Sequence, residues 1–396
     1  MHRVPVVDKD NKPLMPTKPS KARKLVRDGK AIGKHNKLGQ YYIQLTFEPS
    51  SKKTQPIGVG VDPGKKYSGI GVQSKLATLF TAHLFLPFET VKKRMKQRSM
   101  MRRNRRGRRI NRKLPFQLRA HRQKRFSNRR SKKVPPSIRA NRQLEIRVIS
   151  ELCKIFPITS IVYEYVKADV DLTSGRKGAR SGFGFSAVMV GQKWAIKQLS
   201  KLAPVVKKLG WETANLRKHF GLEKQKHNKS DAIPATHAVD GVVLAASQFE
   251  DYKQFENSNC RGHCWQGKVN ITSAPFFVIR RPPISRRQLH LMVFAKGGRK
   301  AKPCQSSKTT ICANALRRKY GGSVTRHGFR KGDYVLAERK GIQYQGWCSG
   351  DTKTQVSVSN IDWKRIAQFS KSKVQLLQRS TGLICKQLFK IFEKSA

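Results

Sequence analysis

The chain has 396 residues, with 84 Lys and Arg against 23 Asp and Glu, a formal net charge of +61 at pH 7 and a hydrophobic share of 38%. So large a positive field calls for a polyanion and sets the chain apart from ordinary enzymes of small metabolites. The hydrophobic share suffices for two or three modest cores, so the chain is more than a basic tail, although a basic structural protein of the ribosomal or chromatin kind stays open on charge alone.

The first segment, residues 1–55, reads as a small basic module. It has a strand in VPVVD, a turn at DNKP, a helix over KPSKARKLVRDGKA with Leu25 and Val26 on its buried stripe, and a strand in QYYIQLTFE. Its opening MHRVPVVDKD has no apolar run, which reads against a signal peptide. Pro13-Leu14-Met15-Pro16 before the helix reads as a turn. Residues 56–89 then read as three strands, IGVGVD, SGIGVQ and LATLFTAHLFLPF, whose glycines imply close backbone approach and sharp turns. Asp62-Pro63-Gly64 closes the first of them. This places a lone carboxylate at a strand end, although Asp-Pro-Gly is also ordinary turn chemistry.

The apolar stretch 76–88 is too short to span a bilayer and contains His83, so no membrane partner is expected. Seven scattered cysteines, an odd number, fit reduced thiols in a cytosolic protein, in cytoplasm or nucleoid, better than a disulfide framework.

Between Glu89 and Glu145 there is no acidic residue, and residues 92–142 hold 23 Lys and Arg. The spacing predicts a long helix over 92–113 inside a 90–140 arm, carrying Arg94, Arg98, Arg102, Arg103, Arg105, Arg106, Arg108, Arg109 and Arg112. A helix polar on every side cannot be buried against protein, so it is expected to lie along nucleic-acid phosphates.

From 141 to 248 the pattern is globular again. QLEIRVISELCKIF predicts a helix with Leu144, Val148, Leu152 and Ile155 on one face, and ITSIVYEYV a buried strand ending near Glu164. VGQKWAIKQLSKLAPVVKKLG reads as a helix and WETANL as a short strand. In KSDAIPATHAVDGVVLAASQF, Ser230 or Asp231 caps a helix with Pro234 in its first turn, and His237 and Asp240 follow three residues apart.

Asp62, Glu164, His237 and Asp240 together suit phosphodiester hydrolysis with two Mg²⁺ ions about 4 Å apart. Asp62, Glu164 and Asp240 supply the oxygen ligands that Mg²⁺ prefers, and His237 can orient the attacking water. Each residue alone also has a plain structural reading.

On these residues the chain resembles the transposon-encoded, RNA-guided IscB/IsrB nucleases, relatives of the type II CRISPR effector nuclease. Pro13-Leu14-Met15-Pro16 matches the motif that names the family's N-terminal PLMP domain. VGVDPGKKYSGIGV matches its first RuvC motif, the Arg-rich run its bridge helix, IVYEYV its second RuvC motif and THAVDG its third. The resemblance implies an α/β fold: an RNase H-like (RuvC) nuclease core split by the bridge helix. It implies Asp62, Glu164, His237 and Asp240 as the site.

Only 72 residues separate Glu164 from His237, without a cysteine and with only His219 and His227, which leaves no room for an HNH nuclease. The pattern therefore resembles IsrB, and the resemblance implies a nickase of the displaced non-target strand. The lack of a CxxC…CxxC zinc ribbon before the last motif reads against TnpB. The partners implied are a large guide RNA (omega RNA) and a double-stranded DNA target with an adjacent motif, around a monomeric protein.

Residues 249–396 are expected to be a β-rich region binding the guide RNA and the target-adjacent motif, with a small β-barrel from Lys331 onward. Zinc is not expected, since Cys260, Cys264, Cys304 and Cys312 are irregularly spaced. Two other functions stay open on the residues: a guide-independent RNase H-like resolvase or transposase, and a non-catalytic basic RNA-binding protein.

Overall fold

The structure, a computed structural model, describes residues 3–107, 111, 113–118, 134–166, 187–222, 234–254, 263–283, 325 and 327–391. Two compact units emerge: Met1–Ile279 with Gln387–Ala396, and Arg280–Lys386. Among the described residues no helix is long and apolar enough to cross a membrane.

The first unit opens with a four-stranded sheet of β1 (Val4–Val7), β2 (Pro13–Thr17), β3 (Ala31–His35) and β4 (Tyr41–Leu45), in the order β2-β1-β4-β3, and helix α1 (Pro19–Arg27). Pro13–Pro16 is not the turn expected from sequence but most of β2, antiparallel to β1 through Val6↔Leu14 and Val7↔Pro13. Prolines are tolerated there because β2 is an edge strand and Pro13 its first residue. The buried stripe of α1 runs through Ala22 and half-buried Leu25 against Val4, Val6 and Ile43, whereas Val26 is exposed, contrary to expectation.

The main sheet contains β5 (Ile57–Asp62), β6 (Tyr67–Ser74), β7 (Thr78–Phe85), β8 (Ser160–Glu164) and β9 (Val205–Lys208). Strands β12 (Ala274–Arg280) and β18 (Ile384–Ile391) extend it, giving the order β18-β12-β7-β6-β5-β8-β9. A separate ladder pairs β10 (Glu250–Gln254) with β11 (His263–Gly267). In the main sheet β5, β6 and β7 form an antiparallel meander, while β5–β8 and β8–β9 are parallel. Two parallel neighbours need long crossovers. Helices α2 (Phe88–Gly107) and α3 (Pro136–Leu152) lie in the first, and α4 (Ala187–Leu199) in the second. Then come α5 (Gly210–His219) and α6 (Pro234–Ala246). The fold class is thus mixed α/β.

Leu144, Val148 and Leu152 of α3 are buried as the spacing predicts, with Ile155 buried just past the helix end. The WETANL segment, expected as a strand, is helical in α5. Glu212 three residues in accepts the Leu209 N–H at 2.6 Å, which caps the helix start, and the strand is the preceding VVKK. The Ser230 and Asp231 capping positions lie outside the described residues.

The second unit is an antiparallel sheet of β13 (Tyr334–Arg339), β14 (Ile342–Asp351), β15 (Gln355–Ser359), β16 (Arg365–Ser370) and β17 (Val374–Gln378). Its core holds Val335, Cys348, Val356, Val358 and Phe369. Lys340 and Gly341 both take positive φ, the geometry of a two-residue hairpin between β13 and β14. The order β16-β15-β14-β13-β17 leaves β16 and β17 as edges, so among the described residues the ladder is an open sheet and not the closed barrel expected.

Candidate active site

Five neighbouring strands of the main sheet each place one residue in a single cross-strand row. Register pairs Asp62 with Gly69, Gly69 with His83, and Glu164 with Lys208. The β5–β8 pairing ends at Val61↔Tyr163, so Asp62 and Glu164 are the next step on the same ladder. The row therefore reads His83, Gly69, Asp62, Glu164, Lys208. Residues opposite each other in register share a face, so Asp62 and Glu164 face the same side of the sheet from neighbouring strands whose backbones lie one strand spacing, ~4.8 Å, apart. Sequence periodicity reveals each strand but not this pairing, so His83 and Lys208 carry no signal in the sequence.

Helix α6 brings His237 to the row because β5 and β6 have no side chains in its way. A Cβ on Gly60 would fall onto the Gly241 carbonyl oxygen, one on Gly69 onto the His237 carbonyl oxygen, and one on Gly71 at 2.5 Å from the Val242 nitrogen. Gly241 of the helix meets the β6 backbone in turn. Backbone packs on backbone, and the helix sits low enough for His237 Nδ1 to reach Asp62 Oδ2 at 2.8 Å. Both side chains are partly shielded, 18% and 15% exposed. With Nδ1–H donating to the carboxylate, the imidazole lone pair rests on Nε2, the arrangement of a positioned base.

His83 lies beneath this pair, fully buried, with its ring 5.5 Å from that of His237 and 5.0 Å from Tyr67. Neither of its ring nitrogens has a hydrogen-bonding partner among the described residues. Burial, with the neighbouring His237 adding to it, pulls its pKa down to about 3, so it is neutral at physiological pH.

The strand end carrying Asp62 is clamped from the opposite face. Arg142 of α3, buried, donates to Gly64 O at 2.8 Å and Pro63 O at 3.4 Å, to both Glu145 carboxylate oxygens at 2.8 Å and to Tyr163 Oη at 3.1 Å. Asn141 Nδ2 donates to Lys65 O at 2.9 Å, and Ser68 Oγ to Asp62 O at 2.6 Å. Arg142 closes the acid-free run in the sequence, yet it is a buried strut and not a phosphate ligand. Composition cannot distinguish it from the exposed arginines before it.

Helix α5 covers the other side. Glu164 Oε2 accepts from Thr213 Oγ1 at 3.2 Å, and its Oε1 is 3.2 Å from where a Cβ on Gly210 would stand. Lys208, at the end of the row, pairs with Glu212 at 3.2 Å. Asp240 is 2% exposed and accepts from Arg217 Nη1 at 2.5 Å. The structure thus unites Asp62 and His237, sets Glu164 beside them in register, and turns Asp240 onto α5.

The three carboxylates supply the hard oxygen donors that suit a divalent cation such as Mg²⁺. As the side chains stand, no three of His, Cys, Asp and Glu are gathered to hold one among the described residues. The donor set fits such a cation in chemistry, and Asp240 as it stands carries the Arg217 guanidinium. Cys260, Cys304, Cys312 and the Cys264 side chain lie outside what is described.

The basic run forms α2, which starts at Phe88, earlier than the expected 92, because buried Phe88 anchors its first turn. Arg94 is half-buried, whereas Arg98, Arg102 and Arg103 are exposed, as is every residue from 96 to 104. The helix reaches Gly107. The side chains of Arg105 and Arg106, and the whole of Arg108, Arg109 and Arg112, lie outside what is described.

Residues 4–184 match the sequence model of a family described as RRXRR protein. Arg102-Arg103-Asn104-Arg105-Arg106 spells that pattern within α2. No curated protein matches the chain. Among solved structures, Thermus thermophilus RuvC in complex with a Holliday junction substrate aligns at 11% identity and a TM-score of 0.25, over 48% of this chain and 90% of that one. A second T. thermophilus RuvC structure aligns with the same identity and coverage at 0.22. At such scores neither alignment supplies a site residue, so the site is read from its geometry.

Proposed function

We propose that the chain is a RuvC-type, RNase H-like endonuclease, guided by a large RNA, that nicks the displaced strand of a DNA target. The observation that carries this reading is the contact between His237 and Asp62 with Glu164 as register neighbour, a base and two carboxylates at one end of a mixed sheet. The meander followed by two parallel strands agrees with an RNase H-like core. The RRXRR match and the exposed arginine helix agree with a bridge helix lying along guide–target phosphates, where base pairing and not the protein reads sequence.

In this reading Asp62, Glu164 and Asp240 would hold Mg²⁺, which would supply Lewis acidity toward water and the leaving oxygen. His237 orients the attacking water and accepts its proton at Nε2. The α6–sheet packing fixes the imidazole, and the Arg142 clamp fixes the backbone that carries Asp62, so both are positioned before substrate arrives. The span between Glu164 and α6 contains α4, β9 and α5. Among the described residues this span agrees with one nuclease site and hence a nick.

Purification under native conditions tests the guided part. A discrete, structured RNA is expected to copurify in stoichiometric amount. Protein that is free of RNA yet cuts branched DNA unaided would replace this reading with a guide-independent resolvase.

A further inference from the structure

Gly210, Thr213 and Arg217 fall on one stripe of α5, at positions i, i+3 and i+7, and each meets a site carboxylate. Gly210 abuts Glu164 and Thr213 donates to it, while Arg217 reaches across to Asp240. The Arg217–Asp240 pair is tight, 2.5 Å from Nη1 to Oδ1, with side chains 19% and 4% exposed. A carboxylate shielded to this degree needs a positive partner, and in low dielectric a guanidinium and a metal ion are alternatives for the same charge. Arg217 also has the planar fork that suits phosphate.

We propose that Arg217 is a site residue that exchanges partners, paired with Asp240 as seen here and turning to a substrate phosphate once a divalent cation takes Asp240. The proposal rests on the nuclease reading above. Its chemistry is displacement of one cation by another at a single carboxylate, with no covalent bond made or broken. A guanidinium beside a newly loaded cation is repelled by it and drawn to the nearest anion, which in this site is a phosphodiester. Arg217 thereby competes with a cation for Asp240 and links cation loading to strand binding.

Calorimetric titration of the purified ribonucleoprotein with MnCl₂ alone tests the first half, on wild type, Arg217→Gln, Arg217→Lys and Asp240→Asn. Arg217→Gln should bind Mn²⁺ at least five-fold more tightly than wild type, and Arg217→Lys should fall between them. Mn²⁺ should also raise the melting temperature of Arg217→Gln more than that of wild type, and Arg217→Lys serves if the glutamine variant folds poorly. Unchanged or weaker Mn²⁺ binding in both Arg217 variants overturns the exchange. If instead Asp240→Asn binds Mn²⁺ as wild type does, the metal-site reading itself fails.

The second half is read from the affinity of a single-stranded oligonucleotide with and without saturating Ca²⁺. Arg217→Gln should weaken it only when Ca²⁺ is present. Equal affinities of variant and wild type in Ca²⁺ would overturn the phosphate contact.

Discussion

His237 Nδ1 and Asp62 Oδ2 stand 2.8 Å apart although they lie 175 positions apart in the chain. The contact exists because glycines at 60, 69 and 71 let α6 rest on the backbone of β5 and β6. The close backbone approach that these glycines imply in the sequence is the floor on which a site helix lies.

Gly60→Ala tests that floor. The added methyl meets the Gly241 carbonyl and the Ala245 amide, backbone that can yield only if α6 lifts. A loss of about 1–3 kcal/mol or more in urea unfolding is expected. Activity should fall further than stability, since lifting α6 withdraws His237 from Asp62. Wild-type stability in Gly60→Ala would show that the helix does not pack as described.

Arg142→Met removes one side of a buried ion pair and leaves Glu145, 1% exposed, without its strongest partner. A destabilisation of about 3–5 kcal/mol is expected by thermal or urea unfolding. Replacing Arg142 and Glu145 together with apolar residues should cost less than the single change. An Arg142→Met protein that melts with wild type but binds nucleic acid more weakly would restore the residue to the phosphate-binding run.

Acid should weaken the fold through His83. The unfolded chain takes up this proton near pH 6.5, whereas the folded one holds it off until about 3. Between those values the unfolded state binds the extra proton, so stability falls as pH falls, by up to about 1.4 kcal/mol per pH unit from this group. His83→Phe should flatten the stability profile between pH 6 and pH 4. An unchanged slope would mean that His83 is protonated in the folded protein.

The exposed arginines of α2 should set the salt dependence of nucleic-acid binding. Changing Arg98, Arg102 and Arg103 together to Gln should reduce the slope of log K against log salt by about 0.7–0.9 for each phosphate that is no longer neutralised, with stability unchanged. Filter binding across a salt series reads this, and an unaltered slope would remove the helix from the interface.

Much of the site is legible in one dimension. Strand ends at Asp62 and Glu164, and the helix with His237 and Asp240, follow from periodicity and from Pro and Gly placement. What stays hidden depends on pairing between distant strands and on packing. His83 and Lys208 join the site only through register, and Arg142 leaves the basic run only because α3 buries it. The Pro13–Pro16 strand escapes a sequence reading because a proline pair reads as a turn until it proves to be a sheet edge. WETANL reads as a strand because six residues cannot show a helical period on their own.

Whether the row ending at Asp62 and Glu164 cuts a phosphodiester backbone is decided by Asp62→Ala. Purified with its RNA, the wild-type protein should convert a supercoiled plasmid matched to that RNA to the nicked form in Mg²⁺ and fail to do so in EDTA. Asp62→Ala should carry the same RNA, bind the same plasmid and leave it supercoiled. Nicking by Asp62→Ala at the wild-type rate would place the chemistry elsewhere in the protein.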